Sequence, residues 1–255
     1  MVKTVILPKY FTKFEVTIMR KTIIILIMFL TGIIYGQNDM IPIIPYPQEV
    51  SVKNGTFSLG DELKVFYEAS ENEKLNYCYD EIKANLEGTT IFTVTKASNQ
   101  EQADVLFILN EKFASEKGLS ETKLEEAYSL KVDDSQIKIE ASKPKAVFHG
   151  TISLIQLIEK AEDMKLKQME VFDYPDLAVR GISDDISRGQ VSTLENFKRI
   201  IDFLAHHKMN TYMPYLEDML RFEQYPSIGK GRGALTEEEV KELVDYAERN
   251  FIEVI

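Results

Sequence analysis

Apolar residues along this chain follow two rhythms. From Ile41 to about Val171, strand-like runs of five residues stand out: Leu63 to Tyr67, Ile91 to Thr95 and Val105 to Leu109. All are rich in β-branched or long apolar side chains. Asn54-Gly55 reads as a turn before Thr56-Phe57-Ser58. Asp133-Asp134-Ser135-Gln136 separates Tyr128–Val132 from Ile137–Glu140, which predicts a hairpin. Leu75, Cys78, Tyr79, Ile82 and Leu86 recur at three- and four-residue steps and predict a helix over 72–87, and a second is expected from Ala146 to Glu159. These elements predict an α+β domain over residues 41–172 with a small, mostly antiparallel sheet.

The rhythm changes at Asp173-Tyr174-Pro175. A strand is expected from Val179 to Asp184. Ser192-Thr193-Leu194-Glu195 then has the form of a capping box opening a helix that buries Leu194, Phe197, Ile200, Ile201 and Leu204. Met209 to Met213 reads as a second strand. Thr236-Glu237-Glu238-Glu239 opens a helix presenting Val240, Leu243, Val244 and Ala247, and Phe251 to Ile255 begins a third strand. A βαβαβ order favours a parallel sheet with right-handed crossovers. An eight-stranded α/β barrel takes about 250 residues, whereas residues 173–255 supply only its opening, so the chain is expected to be the N-terminal piece of a longer, apparently truncated protein.

Before both domains, Arg20-Lys21 precedes an apolar run from Thr22 to Tyr35, then Gly36 and the polar Gln37-Asn38-Asp39. That is the layout of a secretory signal peptide over residues 1–36, with Met19 an alternative start and no membrane anchor left after cleavage. A periplasmic or secreted location follows. The 255 residues are 44% hydrophobic and 28% charged, enough for a sizeable core, and the net charge of −11 argues against nucleic acid as a partner. Cleavage would make the remainder more acidic still, because five basic residues and one acid precede Gln37. A single cysteine, Cys78, excludes an intramolecular disulfide framework and a cysteine-rich zinc site.

Ligands of parallel α/β sheets bind at the C-terminal ends of the strands. Asp184 and Asp185 end the first strand there, and Glu217 and Asp218 follow the second. Four carboxylates at one rim could accept hydrogen bonds from sugar hydroxyls, ligate a metal or act as acid and base. The plainer alternative pairs Asp185 with Arg180 or Arg188 and leaves Glu217 and Asp218 on a solvated loop. His206-His207 faces two directions from a helix end and suits the helix dipole better than chelation. Gly229-Lys230-Gly231-Arg232-Gly233 lacks the ending of a phosphate-binding loop and reads as a flexible lid or subsite loop. Asn54-Gly55-Thr56 matches a glycosylation acceptor, but the turn reading is preferred.

The segment Asp173-Tyr174-Pro175-Asp176-Leu177-Ala178-Val179-Arg180-Gly181-Ile182-Ser183-Asp184-Asp185-Ile186-Ser187-Arg188 resembles the barrel-opening segment of glycoside hydrolase family 20, the β-N-acetylhexosaminidases, through its Arg-Gly-x-x-x-Asp-x-Ser-Arg pattern. His207 to Thr211 is similar to the family's second strand entry, Leu235 to Ala247 to its second helix, and Ala146 to Leu157 to the helix closing its accessory domain. The resemblance spans residues 41–255. It implies an α+β accessory domain followed by the first βαβαβ part of a (β/α)8 TIM barrel. It also implies that Arg180 holds hydroxyls of the terminal sugar, as a planar guanidinium fork is suited to do. The chain departs from the family at Met213-Pro214-Tyr215-Leu216-Glu217-Asp218-Met219, where the family carries His-x-His-Leu-x-Asp-Asp. Glu217 and Asp218 remain candidate pocket acceptors.

What the resemblance implies of function is an exported glycosidase that removes terminal β-linked GlcNAc or GalNAc from a glycan by a substrate-assisted retaining mechanism. Its catalytic Asp-Glu pair would follow a fourth strand, beyond Ile255, so no catalytic residue is expected in this chain, which would be inactive alone. No cofactor and no metal are expected. The competing readings are another barrel glycosidase, such as an α-glucuronidase or an O-GlcNAc hydrolase, and a non-catalytic carbohydrate-binding or scaffold protein.

Overall fold

A computed structural model describes residues 40–68, 73–89, 93–113, 118–189 and 191–255. The signal segment and Met19, the first residue of the expected 72–87 helix, and Ile91 and Phe92 of one expected strand lie outside the described residues. The first domain runs β1 (Glu49–Ser58), β2 (Glu62–Phe66), α1 (Leu75–Thr89), β3 (Thr93–Lys96), β4 (Val105–Leu109), the single turn α2 (Glu121–Leu124), β5 (Tyr128–Val132), β6 (Ile137–Ala141), α3 (Pro144–Glu159) and β7 (Lys165–Asp173). Its strands form one seven-stranded sheet in the order β1-β7-β5-β6-β4-β2-β3.

The sheet is larger than the sequence suggests and is not mostly antiparallel. Neighbours from β1 to β6 pair antiparallel, but β6, β4, β2 and β3 run parallel. The reason is α1, which connects β2 to β3 as a crossover and so brings both strands back in the same direction. The β5–β6 hairpin forms as expected, with the Asp133 carboxylate accepting from Ser135 N and Gln136 N. Asn54-Gly55 does not end a strand. It lies inside β1, where the register against β7 shifts between Val52 and Thr56 and Gly55 takes a φ of +125°, a bulge rather than a turn.

Helix α1 buries Leu75, Cys78, Tyr79, Ile82 and Leu86, the spacing expected for its inner face. The Cys78 thiol is fully buried and points at the carbonyls of Lys74 and Pro144, the second of which opens α3. Helix α3 is buried from Ala146 to Ile158. A helix covered all round needs partners on both sides. The sheet supplies one, through β5 and β6, and α1 packs on the helix as well; the second domain also reaches it, with the Phe148 ring 5.2 Å from that of Phe251.

The second domain is the predicted βαβαβ unit: β8 (Gly181–Asp185), α4 (Leu194–His206), β9 (Thr211–Tyr215), α5 (Glu237–Arg249) and β10 (Glu253–Val254), its strands parallel in the order β10-β9-β8. The capping box of α5 is complete, because Thr236 Oγ1 accepts from Glu239 N and the Glu239 carboxylate accepts from Thr236 N. That of α4 is displaced by one residue: Thr193 is the N-cap and accepts from Asn196 N, so Glu195 is not at the reciprocal position. Each helix ends in a Schellman motif. Lys208 N reaches Ala205 O and Met209 N reaches Leu204 O; Phe251 N reaches Glu248 O and Ile252 N reaches Ala247 O. Lys208 and Phe251 take the left-handed conformation at φ 55°, where glycine is usual. Residues Ile41–Ile255 form one compact unit, and no described helix is long and apolar enough to cross a membrane.

Glu81 on α1 is a strongly perturbed carboxyl. Burial raises it, a 2.9 Å bond from Asn85 Nδ2 opposes the rise, and Asp202 on α4 adds to it, to about 7 against an ordinary 4.5. A carboxyl raised by folding adds stability below its unfolded pKa that is lost as pH rises from 4.5 through 7. Replacing Glu81 by Gln is therefore expected to raise the urea midpoint at pH 8, by an equivalent of about 1–3 kcal/mol, and to leave it nearly unchanged at pH 4. An equal gain at both pH values would show that titration is not the cause.

Candidate active-site rim

The loops after β8 and β9 emerge at the C-terminal ends of those strands, and three of the four expected carboxylates meet there. Asp185 accepts from Ser187 N at 3.0 Å and Ser187 Oγ at 2.7 Å through one oxygen, and from Arg188 Nη1 at 2.6 Å through the other. Those Ser187 bonds hold its carboxyl below the usual range, with Arg188 helping. Arg188 extends the chain of charges: its Nη2 lies 3.5 Å from Glu217, and its guanidinium carbon 5.7 Å from the Tyr215 ring centre. The Tyr215 hydroxyl donates to Glu217 at 3.0 Å. Asp218 is gripped by both oxygens by Arg232 Nη1, at 2.7 and 2.6 Å, while Arg232 Nη2 donates to Ser187 O at 2.5 Å.

Two details set this rim apart from an ordinary loop surface. Glu217 is held at φ 45°, a backbone state that costs a non-glycine residue about 1 kcal/mol and turns its carboxylate back toward Tyr215 and Arg188. Charged donors and acceptors alternate along it, Asp185, Arg188, Glu217 and then Arg232, Asp218. Such a row can exchange a protein partner for a sugar hydroxyl at each point, because both hydrogen-bonding senses are available. Its carboxylates are engaged by arginines and hydroxyls, which suits holding a ligand.

Asp184 does not join the cluster. It accepts from the hydroxyl of Tyr212, whose buried ring packs on Phe197 of α4, so it lies on the helix-covered side of the sheet. Alternation along a strand separates it from Asp185. Arg180 is placed at the opposite end of β8 from the rim and pairs with neither Asp185 nor Asp184. Its Nε and Nη2 donate to Lys208 O at 3.1 and 2.9 Å, its Nη1 to Leu177 O at 2.7 Å, and its Nη2 also to the Glu126 carboxylate. The Gly229–Gly233 segment is not a free lid, since Arg232 ties it to both strand ends. His207 Nδ1 lies 2.8 Å from Phe203 O, the histidine pair thus finishing its own helix.

Glu126, between α2 and β5, is the centre of a buried polar seam between the two domains. Besides Arg180 it meets Lys145 Nζ at 2.8 Å, Asn210 Nδ2 at 3.1 Å and His149 Nδ1 at 3.6 Å. Burial works to raise its carboxyl, but His149, Lys145 and Arg180 outweigh that and hold it below the usual range. Burial in turn pushes the His149 imidazole down to about 3, leaving it neutral at neutral pH, so Lys145 and Arg180 supply the working charge. Alongside, Lys208 Nζ donates to Tyr128 OH at 2.8 Å and Asp173 at 3.2 Å. Asn210 closes the seam, donating to Ala178 O at 2.7 Å and accepting from Arg180 N at 2.9 Å.

Comparison with known proteins follows the same division of the chain. The pattern described as "Glycosyl hydrolase family 20, domain 2" matches residues 40–174, and "Glycosyl hydrolase family 20, catalytic domain" matches residues 178–255. The chain belongs to glycosyl hydrolase family 20. Among curated family 20 relatives, a beta-hexosaminidase of Vibrio furnissii is 30% identical over 157 residues, 51% of this chain and 26% of the relative. One of Porphyromonas gingivalis is 25% identical over 240 residues, 84% of this chain and 30% of the relative. The chain thus spans about a quarter to a third of the length of these proteins. Of solved structures, the chitobiase of Flavobacterium johnsoniae superposes with a TM-score of 0.69 at 24% identity, covering 86% of this chain and 34% of the other. The family 20 β-N-acetylhexosaminidase of Streptomyces coelicolor gives 0.71 at 21% identity, covering 85% and 46%. These likenesses give the fold: an accessory domain followed by part of a barrel domain.

Within this family 20 chain, the sequence pattern led to Asp185, Glu217 and Asp218 but passed over Tyr215 and Arg232. Tyr215 was visible only as a replacement of a family histidine. Arg232 sits in a glycine-rich run whose fold depends on the two strands it joins. The seam residues Glu126 and Lys208 carried no motif at all.

Proposed function

We propose that this chain is the N-terminal part of an exported glycosidase that removes terminal β-linked N-acetylhexosamine from glycans. The reading rests on one observation above others: both family 20 patterns run through the chain in order, and the open rim of Asp185, Arg188, Glu217 and Asp218 lies at the barrel end where ligands of such folds bind. Glu217 and Asp218 accept sugar hydroxyls in this reading. Arg180, whose donors are spent on Glu126, Lys208 and Leu177, acts from the seam rather than on the sugar. The catalytic Asp and Glu of a substrate-assisted retaining mechanism would follow Ile255, the Glu protonating the leaving oxygen while the substrate's own acetamido group attacks the anomeric carbon. The apolar run before Gln37 directs export.

The experiment expresses the uninterrupted coding frame that contains this chain and assays the extracytoplasmic fraction on p-nitrophenyl N-acetyl-β-glucosaminide. Release of p-nitrophenol with retained anomeric configuration is expected there, lowered about 10-fold or more by Asp218→Asn, and none is expected from the 255 residues alone. Sugar binding without hydrolysis by the whole product would instead favour a non-catalytic carbohydrate-binding protein.

A further inference from the structure

Asn54-Gly55 in β1 is the chain's one asparagine followed by glycine, and the fold requires that glycine for a reason of its own. Val52 pairs with Met169 and Thr56 with Lys167, so Lys53, Asn54 and Gly55 stand opposite Gln168 alone. The extra residues of such a bulge are left out of the ladder. Gly55 passes through it at φ +125°, and a Cβ there would lie 2.7 Å from Cδ of Gln168. Any other residue would be strained twice over, by its φ and by that contact. Strand β1 is also an edge of the seven-stranded sheet, bonded to β7 alone, so no second strand covers the bulge.

The Asn54 side chain is exposed and, among the described asparagines, is the one that makes no hydrogen bond. The others are all held, Asn99 for instance by accepting from Gln102 N and Asn110 by donating to Glu140. Its Cγ is therefore free to turn toward the next backbone nitrogen. A peptide nitrogen is ordinarily a poor nucleophile, because its lone pair is shared with the carbonyl, and a side chain on the following residue hinders its approach. Gly55 removes that hindrance, and holding both partners in one dipeptide supplies the proximity that such a slow step needs. The surroundings tolerate the product as well. Lys53 and Lys131 both reach Glu170, at 2.5 and 3.8 Å, so two cations share one carboxylate beside the bulge, and a new negative charge at position 54 meets a surplus of positive charge.

We propose that Asn54 is a self-modification site, converted in the folded protein to a mixture of aspartate and isoaspartate. The Gly55 nitrogen bonds to Asn54 Cγ and gives up its proton, the Cγ–Nδ2 bond breaks, and Nδ2 leaves as ammonia, which closes a cyclic imide. Water then opens the imide. Attack at Cγ restores the normal chain as aspartate; attack at the backbone carbonyl leaves isoaspartate, with the chain running through Cβ and Cγ. The net change is asparagine plus water to acid plus ammonia, with one negative charge gained. The site lies outside the barrel domain and stands whatever the substrate. To test it, the folded product of the whole coding frame is kept in warm buffer at pH 8 beside a sample in urea, and asparagine-containing peptides are mapped by mass and by isoaspartyl methyltransferase labelling. A gain of about 1 Da is expected at Asn54, within about tenfold of its rate in urea and at least about tenfold faster than at any other described asparagine of the folded sample. Asn54→Gln, whose ring would need one more atom, should lose the methyltransferase label, and Asn54→Asp should fold with a Tm within about 2 °C of the parent's. Folding that slows Asn54 more than about tenfold, another asparagine that reacts as fast, or a label that survives Asn54→Gln overturns the proposal. An Asn54→Asp variant that does not fold overturns the accumulation of product in folded protein.

Discussion

Replacing Glu126 by alanine is expected to destabilise the fold by about 3–5 kcal/mol, because it removes the carboxylate that Arg180 and Lys145 share at a site where both have been largely taken out of water. Glu126 is 5% exposed, and the Arg180 and Lys145 side chains it faces are 18% and 27% exposed. Without it, both cations and the Asn210 amide lose a partner that the protein interior cannot replace. Glu126→Gln keeps the bond to Asn210 but removes the charge, so an intermediate loss is expected. Urea unfolding midpoints measure both, and a cycle with Arg180→Ala should show strong coupling. A loss below about 1 kcal/mol for the alanine variant would mean that water reaches the seam.

The same seam gives the protein an acid limit. The Glu126 carboxyl is depressed by folding, so its stabilisation is present above its unfolded pKa and is lost as pH falls through the folded one. His149 acts in the same direction. It is buried neutral, its pKa falls from 6.5 to about 3 on folding, and the unfolded chain takes up a proton across that interval that the folded chain refuses. The His149 contribution declines from about pH 6.5 downward and is offset by that of Glu81 until about pH 4.5, so the parent protein should lose stability below about pH 4.5, and Glu81→Gln should lose it from about pH 6.5.

Gly181→Ala is expected to be comparably severe. A Cβ there would lie 2.0 Å from Thr211 O and 2.7 Å from Thr211 C, both backbone atoms. Gly181 is paired with Thr211 in the parallel β8–β9 ladder, and Asn210 N and Thr211 N both donate to Arg180 O one residue before it. Neither strand can retreat without opening that ladder and the Asn210 end of the seam. Overpacking against mobile side chains costs about 1–3 kcal/mol, and an immovable backbone places this site at or above the upper end. Loss of soluble folded protein, or a fall in Tm of about 6 °C or more, is expected. Ser183→Ala, two residues along the same strand and exposed, should change Tm by less than about 2 °C. Similar behaviour of the two variants would sink the argument from close approach.

Elements with an unbroken period were legible in the sequence. The strand Val105–Leu109, the β5–β6 hairpin and helices α1, α3 and α5 follow directly from spacing and turn residues. Strand β7 was not legible, because its inward positions slip from Leu166 to Met169, opposite the bulge in β1. Strand β9 was expected two residues early: Met209 is used to finish α4, and the Asn210 side chain is taken by Ala178 O and Glu126. Both helix ends lack the glycine that usually marks them, since packing of Phe251 on Phe148 and burial of the Lys208 ammonium against Tyr128 and Asp173 outweigh the cost of the left-handed state. The rim was readable because parallel strands expose their C-terminal ends whatever else they do. The seam was not: Glu126 and Arg180 are 54 residues apart, and Glu126 and Asn210 are 84 apart, distances over which no local pattern carries information.

Cys78 gives the molecule a built-in clock. It is the chain's one thiol, it lies between α1 and α3, and burial raises its pKa well above the ordinary value. A reagent that needs exposed thiolate can modify it only when those two helices part. Both helices belong to the first domain, so the labelling rate counts the separations of α1 from α3. The two helices thus turn an inert side chain into a measure of how often this part of the first domain opens, with no residue changed.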